Sequence, residues 1–191
     1  MLQKLLMSAA LVCMSCGCSH LQNVPAQRPP PGDTDKIQLR NNAAGLLYDL
    51  LGDEKNVGKV LIVKNAGKEV TVLIKLISAT AAANEKELEQ LAGNDPGLNL
   101  KAMSLPPGET AARAAIAKSK EYDLLFSSGA NFEFNLLMTQ AEAQNYGWHM
   151  AKVAAENSPR PQEAMTFKVI SEAMKHLYEQ TVAQMRSLPV Q

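Results

Sequence analysis

Lys59-Val60-Leu61-Ile62-Val63-Lys64-Asn65-Ala66-Gly67-Lys68-Glu69-Val70-Thr71-Val72-Leu73-Ile74-Lys75-Leu76-Ile77 is the stretch whose reading decides the fold. Taken alone it holds two β-branched runs, Val60 to Val63 and Val70 to Ile74, around Asn65-Ala66-Gly67-Lys68, which is a hairpin signal. Taken with its neighbours it is helical. Leu47, Leu50, Glu54, Val57 and Leu61 step along one helix face. After Gly67, so do Val70, Leu73, Ile77, Thr80, Asn84, Leu88 and Leu91, and Ala79 to Ala92 is rich in strong helix formers. The helical reading is favoured: two helices broken at Asn65-Ala66-Gly67, with helix from Val70 to Leu91. The hairpin remains the alternative, and with it an α+β fold.

Downstream the periodicity is consistently helical. Phe132, Leu136, Thr139, Ala143, Tyr146, Met150 and Val153 form one stripe of a long helix between Asn131, its expected N-cap, and Glu156. Ser158-Pro159-Arg160-Pro161 ends it and opens a last helix that runs to Ser187. That helix carries the stripe Ala164, Phe167, Ile170, Met174, Leu177, Thr181 and Met185. A short loop between two long helices implies antiparallel packing. Glu109 to Phe126 reads as a shorter Ala-rich helix, and residues 93–108, with Pro96-Gly97 and Pro106-Pro107-Gly108, as a loop.

Upstream, the chain opens with Lys4 and the apolar run Leu5 to Val12, followed by Met14-Ser15-Cys16-Gly17-Cys18. This resembles a bacterial lipoprotein signal peptide over residues 1–17, with the lipid attached to Cys18. Gly17 before Cys18 suits the cleavage site, and Cys16, preceded by Ser15, is the alternative anchor. Ser19 stands where similar Gram-negative lipoproteins carry an inner-membrane-retaining Asp, so the resemblance implies the outer membrane, with the domain in the periplasm. Residues 18–35, with Pro25 and Pro29-Pro30-Pro31-Gly32, read as an extended tether. At ~3.1 Å per residue its reach is on the order of 50 Å. Residues 36–191 then form the folded domain.

Composition narrows the function classes. The chain has 191 residues, with 19 basic and 19 acidic side chains. Without a basic surplus, nucleic acid is not an expected partner. All three cysteines precede Ser19, so the domain has no disulfide, no thiolate ligand and no cysteine nucleophile. No Ser-His-Asp pattern, phosphate-cradling Gly loop or Cys/His cluster occurs. The expected partners are the membrane, through the lipid, and an envelope protein; the oligomeric state is left open.

Four places carry a resemblance to a bacterial family of exported or lipid-anchored helical bundles, domain of unknown function family 4142. They are Glu54 with Gly58-Lys59, Ala82 to Leu88, Gly129-Ala130-Asn131-Phe132-Glu133 with Gln140, and His176-Leu177. The resemblance spans roughly residues 42–185 and implies a ferritin-like bundle. Where the family has Asp-His in its second helix, this chain has Ser78-Ala79-Thr80-Ala81, and Gln144 stands near the place of a second His. The expected fold is therefore all-α: an antiparallel four-helix, ferritin-like bundle with one extra short helix.

A di-metal bundle site needs inward glutamates and Glu-x-x-His pairs. The domain has no Glu-x-x-His and only His149 and His176. Glu54 interrupts an apolar stripe and is the one convincing inward carboxylate, with Glu133, Glu142, Glu172 and His176 weaker candidates. Glu172 and His176, four apart, read as a half-exposed pair without a ligand. Glu54, Thr80, Asn84 and Thr139 are expected to form a polar layer that fixes helix register. Lys64, Lys68 and Lys75 read as solvated. No metal, cofactor or catalytic residue is expected, and the expected role is a non-enzymatic structural or binding module. A metal-binding or redox bundle is the alternative.

Overall fold

The structure is a computed structural model that describes residues 32–102 and 105–188. The signal segment, Cys18 and the tether up to Pro31 lie outside the described residues. The chain from Pro31 onward forms one compact unit. Among the described residues the fold is all-α. The elements are α1 (Asp33–Glu54), a 3₁₀ turn (Val57–Lys59), α2 (Val60–Val63), α3 (Lys68–Asn94), α4 (Pro107–Phe126), α5 (Gly129–Glu156) and α6 (Pro161–Ser187). No helix among the described residues is long and apolar enough to cross a membrane.

The deciding stretch is helical, as expected, but it breaks in two places rather than one. The buried stripe of α1 runs through Leu47, Leu51 and Glu54, with the expected Leu50 half-buried beside it, and ends at Lys55; only the 3₁₀ turn and the single turn α2 follow before Gly67. In α3, Val70, Leu73, Ile74 and Ile77 are buried while Val72 is 60% exposed. A hairpin would place Val70, Val72 and Ile74 on one face. The 3.6-residue pattern prevails because burying each large aliphatic side chain is worth about 1.5–3 kcal/mol, against at most about 0.7 kcal/mol of lost helix propensity. The break is pinned from outside. Glu133 of α5 accepts a 2.5 Å hydrogen bond from the Gly67 amide at the start of α3. Lys64, expected to be solvated, is half-buried and donates to the carbonyls of Leu125 (2.5 Å) and Ser127 (3.0 Å), capping the end of α4.

Two other boundaries shift. α1 starts at Asp33, inside the segment read as tether, with Asp33 and Asp35 in its first turn, where carboxylates meet the positive end of the helix dipole. α5 starts at Gly129 with Ser128 as N-cap, three residues before the expected N-cap Asn131. Gly129 has φ +58°, a left-handed conformation that suits glycine and turns α4 into α5.

α5 packs on α6, α1 and α4, while α3 packs on α1 and α6. The pairings run in opposite chain directions. Tyr48 meets Glu89 and Lys55 meets Glu85 across α1 and α3. Arg113 meets Tyr146 and Lys120 meets Glu142 across α4 and α5. Two apolar cores result. One gathers Leu47 and Leu51, Leu88, Ala151 and Ala154 with Phe167, Ile170 and Met174. The other gathers Val70 to Ile77 of α3 with Phe132, Leu136, Leu137 and Leu177.

The buried seam of α5 is rotated from the expected stripe. Beyond Leu136 it runs Gln140, Gln144, Gly147, Ala151 and Ala154, leaving Thr139, Ala143, Tyr146, Met150 and Val153 at its half-buried flank. Gly147 explains the rotation. A Cβ there would collide with the Met174 thioether and come within 2.8 Å of Leu50, so glycine lets α1, α5 and α6 approach closely. Polar Gln140 and Gln144 then occupy the seam between the two cores.

Candidate functional site

Two clusters of charge are buried in this bundle, and both belong to the inner stripe of α1. The first is built on Arg40, which is 2% exposed. Its Nη1 lies 3.0 Å from Glu163 Oε1 and 3.4 Å from Asp95 Oδ2. Its Nη2 donates to the Gly97 carbonyl, and both Nε and Nη2 donate to Asn41 Oδ1. Arg160 also pairs with Asp95. Burial raises the Glu163 pKa, the more so with Asp95 nearby, while Arg40 and Arg160 hold it back. Every element here is structural: the cluster ties the start of α1 to the loop after α3 and the first turn of α6.

The second is Glu54, 8% exposed at the end of α1. Its carboxyl sits beside the Gln140 side chain, and its Oε2 has no hydrogen-bond partner in the structure. Burial is the dominant influence, with a smaller push from Asp53, and the neighbouring Gln140 side chain and the Lys120 charge oppose it. Its pKa is thereby raised from 4.5 to about 7.

Glu54 lines a groove of about 570 Å³ between α1, α4 and α5. This lies within the ~300–1,000 Å³ typical of ligand sites. The walls are mostly apolar: Leu50 and Val60 on one side, Ile116, Ala117, Leu124 and Leu125 of α4 on the other. α4 contributes no fully buried residue, and Leu124 is its contact with a core, so most of the helix stands as a wall. Polar groups sit at the α5 side and the mouth: Thr139, Glu142, Tyr146, Arg113, Lys120 and Glu121. Lys120 pairs with Glu142. Arg113 Nε donates to Glu109 at 2.7 Å, its Nη1 donates to the Tyr146 hydroxyl at 3.0 Å, and these contacts raise its pKa. A second depression of about 570 Å³ continues past Leu50, Arg113 and Tyr146 to Asp49 and Asp53. The Asp53 pKa is raised, by burial first and by Asp49 second.

Of the polar layer expected from sequence, the groove unites Glu54 and Thr139. Thr80 and Asn84 lie half-buried on α3, outside the groove lining, and Asn84 Nδ2 has no hydrogen-bond partner. The remaining candidate acids have other work. Glu133 caps α3, Glu142 pairs with Lys120 and Glu172 is exposed. His176 lies 3.2 Å from Gln180 rather than pairing with Glu172. No group of three or more His, Cys, Asp or Glu that would hold a metal ion occurs among the described residues. Gln140, Gln144 and the Arg40 cluster are absent from the sequence-based expectation. Stepping back seven residues from Leu47 lands on Arg40, so the signal for that residue was present. Compared with known family models, with curated proteins and with solved structures, the chain matches none.

Proposed function

We propose that the protein is a non-enzymatic binding module, held at the outer membrane by a lipid on Cys18, and that its ligand enters the groove between α1, α4 and α5. The observation that carries the reading is the combination of an apolar groove with one buried carboxyl whose Oε2 is unpartnered. A bundle that needed α4 only for stability would bury some of it. Here α4 keeps its apolar Ile116 and Leu125 at least half exposed along the opening. Such a wall, joined to the second core through Leu124, confines a ligand with most of its apolar face. The tether read from residues 18–35 would present the groove away from the lipid surface.

A neutral solvatochromic dye such as Nile red tests the groove. It should bind the chain from Pro31 to Gln191 saturably, at one site. Ile116→Glu and Leu125→Glu should abolish that binding while leaving the helical circular dichroism signal intact. Dye binding that survives both substitutions would place the site elsewhere and end this reading. Anchoring is tested separately: Cys18→Ala should move the protein from the membrane fraction to the soluble fraction or leave it unprocessed.

A further inference from the structure

We propose that the groove selects an amphiphilic ligand with an apolar body and a primary ammonium head, the ammonium pairing with Glu54. The proposal rests on the binding-module reading above and specifies its ligand class.

Charge complementarity carries the argument. The groove and its continuation are lined by five carboxylates, Asp49, Asp53, Glu54, Glu121 and Glu142, and by two cations, Arg113 and Lys120. Both cations are already engaged, Arg113 by Glu109 and Lys120 by Glu142. An anionic head would have to compete with Glu109 and Glu142 for these two cations and would face the remaining acids. A cationic head meets the opposite situation. The deepest of the five acids is Glu54, 8% exposed, with an Oε2 that is closed to solvent and has no hydrogen-bond partner, so a donor head reaches it by displacing the side chains that cover it. A buried acceptor without a partner costs free energy that a charge-assisted N–H···O bond recovers. The walls next to it, Leu50, Val60, Ile116 and Leu124, offer carbon but no further acceptor to an aliphatic body. A primary ammonium carries three donors on a compact charge, which suits a single carboxylate in an open, mostly apolar groove.

Binding also changes the proton inventory. Burial keeps Glu54 largely protonated below neutrality, with Asp53 adding to that tendency and Lys120 opposing it. Glu121, Glu142, Arg113 and Tyr146 face the same groove from α4 and α5. An ammonium ligand stabilises the ionised carboxylate, so Glu54 releases its proton as the ligand enters. An aliphatic ammonium stays charged across this range, its pKa being near that of lysine, ~10.4.

Calorimetric titration of the chain from Pro31 to Gln191 with octylammonium, octanol and octanoate is the test. Octylammonium should bind saturably and at least about tenfold more tightly than octanol, with octanoate weakest. Its affinity should rise between about pH 6 and pH 8, with proton release detectable as a buffer-dependent heat. Glu54→Gln, a conservative change that keeps the fold, should bring octylammonium down to the octanol level and remove the pH dependence. Equal affinity in wild type and Glu54→Gln, or preference for octanoate, would overturn the ammonium proposal while leaving the groove intact. If none of the three probes binds in a manner sensitive to Ile116→Glu, the groove reading itself fails, and this proposal with it.

Discussion

Arg40 and Glu54 lie fourteen residues apart on the same face of α1, about 21 Å along the helix at 1.5 Å per residue. Both are charged residue types and both are buried, yet the protein treats them in opposite ways. Arg40 is surrounded by Glu163, Asp95, Asn41 and the Gly97 carbonyl, so its donors are matched. Glu54 has the Gln140 amide on one side and an open, apolar-walled groove on the other. A buried charge with a complete set of partners holds chain segments together. A buried acid with an incomplete set raises its own pKa and leaves a position for something else to fill. The lesson is that burial alone does not separate a clamp from a site; the count of partners does.

The largest effect expected from testing this contrast is at the clamp. Arg40→Met removes one member of a buried network and leaves Glu163 and Asp95 facing each other. The loss should be about 3–5 kcal/mol in urea denaturation near neutral pH, and it should shrink as the pH falls and Glu163, whose pKa burial raises, takes up a proton. A loss below about 1 kcal/mol would mean that the cluster is far better hydrated than its burial indicates.

Glu54→Gln should act with the opposite sign. The folded pKa of about 7 lies above the ordinary 4.5, so between these values the native state keeps a proton that the unfolded state has lost. The associated stability is fully present below about pH 4.5 and is lost as the pH rises through 7. Replacing Glu54 by the always-neutral Gln should therefore stabilise the bundle at about pH 8 by on the order of 1–3 kcal/mol and change little at about pH 4.5. Thermal melts at the two pH values check this. Destabilisation at the higher pH would show that the ionised carboxylate is better partnered than the structure indicates.

Gly147→Ala sharpens the comparison from the backbone side. The added methyl meets the flexible ends of Met174 and Leu50, so a cost of about 1–2 kcal/mol is expected. Met174→Ala in the same chain should make the two costs less than additive. A smaller effect, about 1 kcal/mol, is expected for Gly129→Ala, which forces a side chain into φ +58° at the α4–α5 turn. It should loosen the α4 wall without touching either core. Hydrogen exchange should then speed up in α4 while α1 and α6 keep their protection.

The all-α class was legible because aliphatic residues in α3 and α6 follow the helical period closely, and Val70, Leu73, Ile77, Phe167, Ile170 and Leu177 are all buried. The end of α1 at Glu54 was not legible. Val57 and Leu61 continue the period, but the chain there turns to let Lys64 and Glu133 fix the next helix from a distance. The α5 seam was misplaced for a related reason. Gln140 and Gln144 lie off the expected stripe, and their burial follows from Gly147 drawing α5 against α1 and α6, a tertiary cause with no local signature. Of the site, Glu54 stood out as an acid on an apolar stripe. Its companions on α4 did not, since a helix without a buried face leaves no stripe to read.

The central claim is that Glu54 is an incompletely partnered acid at the floor of a binding groove. Carbon-13 NMR titration of the Glu54 side-chain carboxyl measures this directly, with assignment by loss of the signal in Glu54→Gln. The expected midpoint is about 7, well above the ordinary 4.5. On saturation with octylammonium it should fall by at least about one pH unit, as an opposite charge at the carboxylate requires. A midpoint near 4.5 in the free protein would contradict the account, because it would mean that Glu54 is already solvated or fully paired.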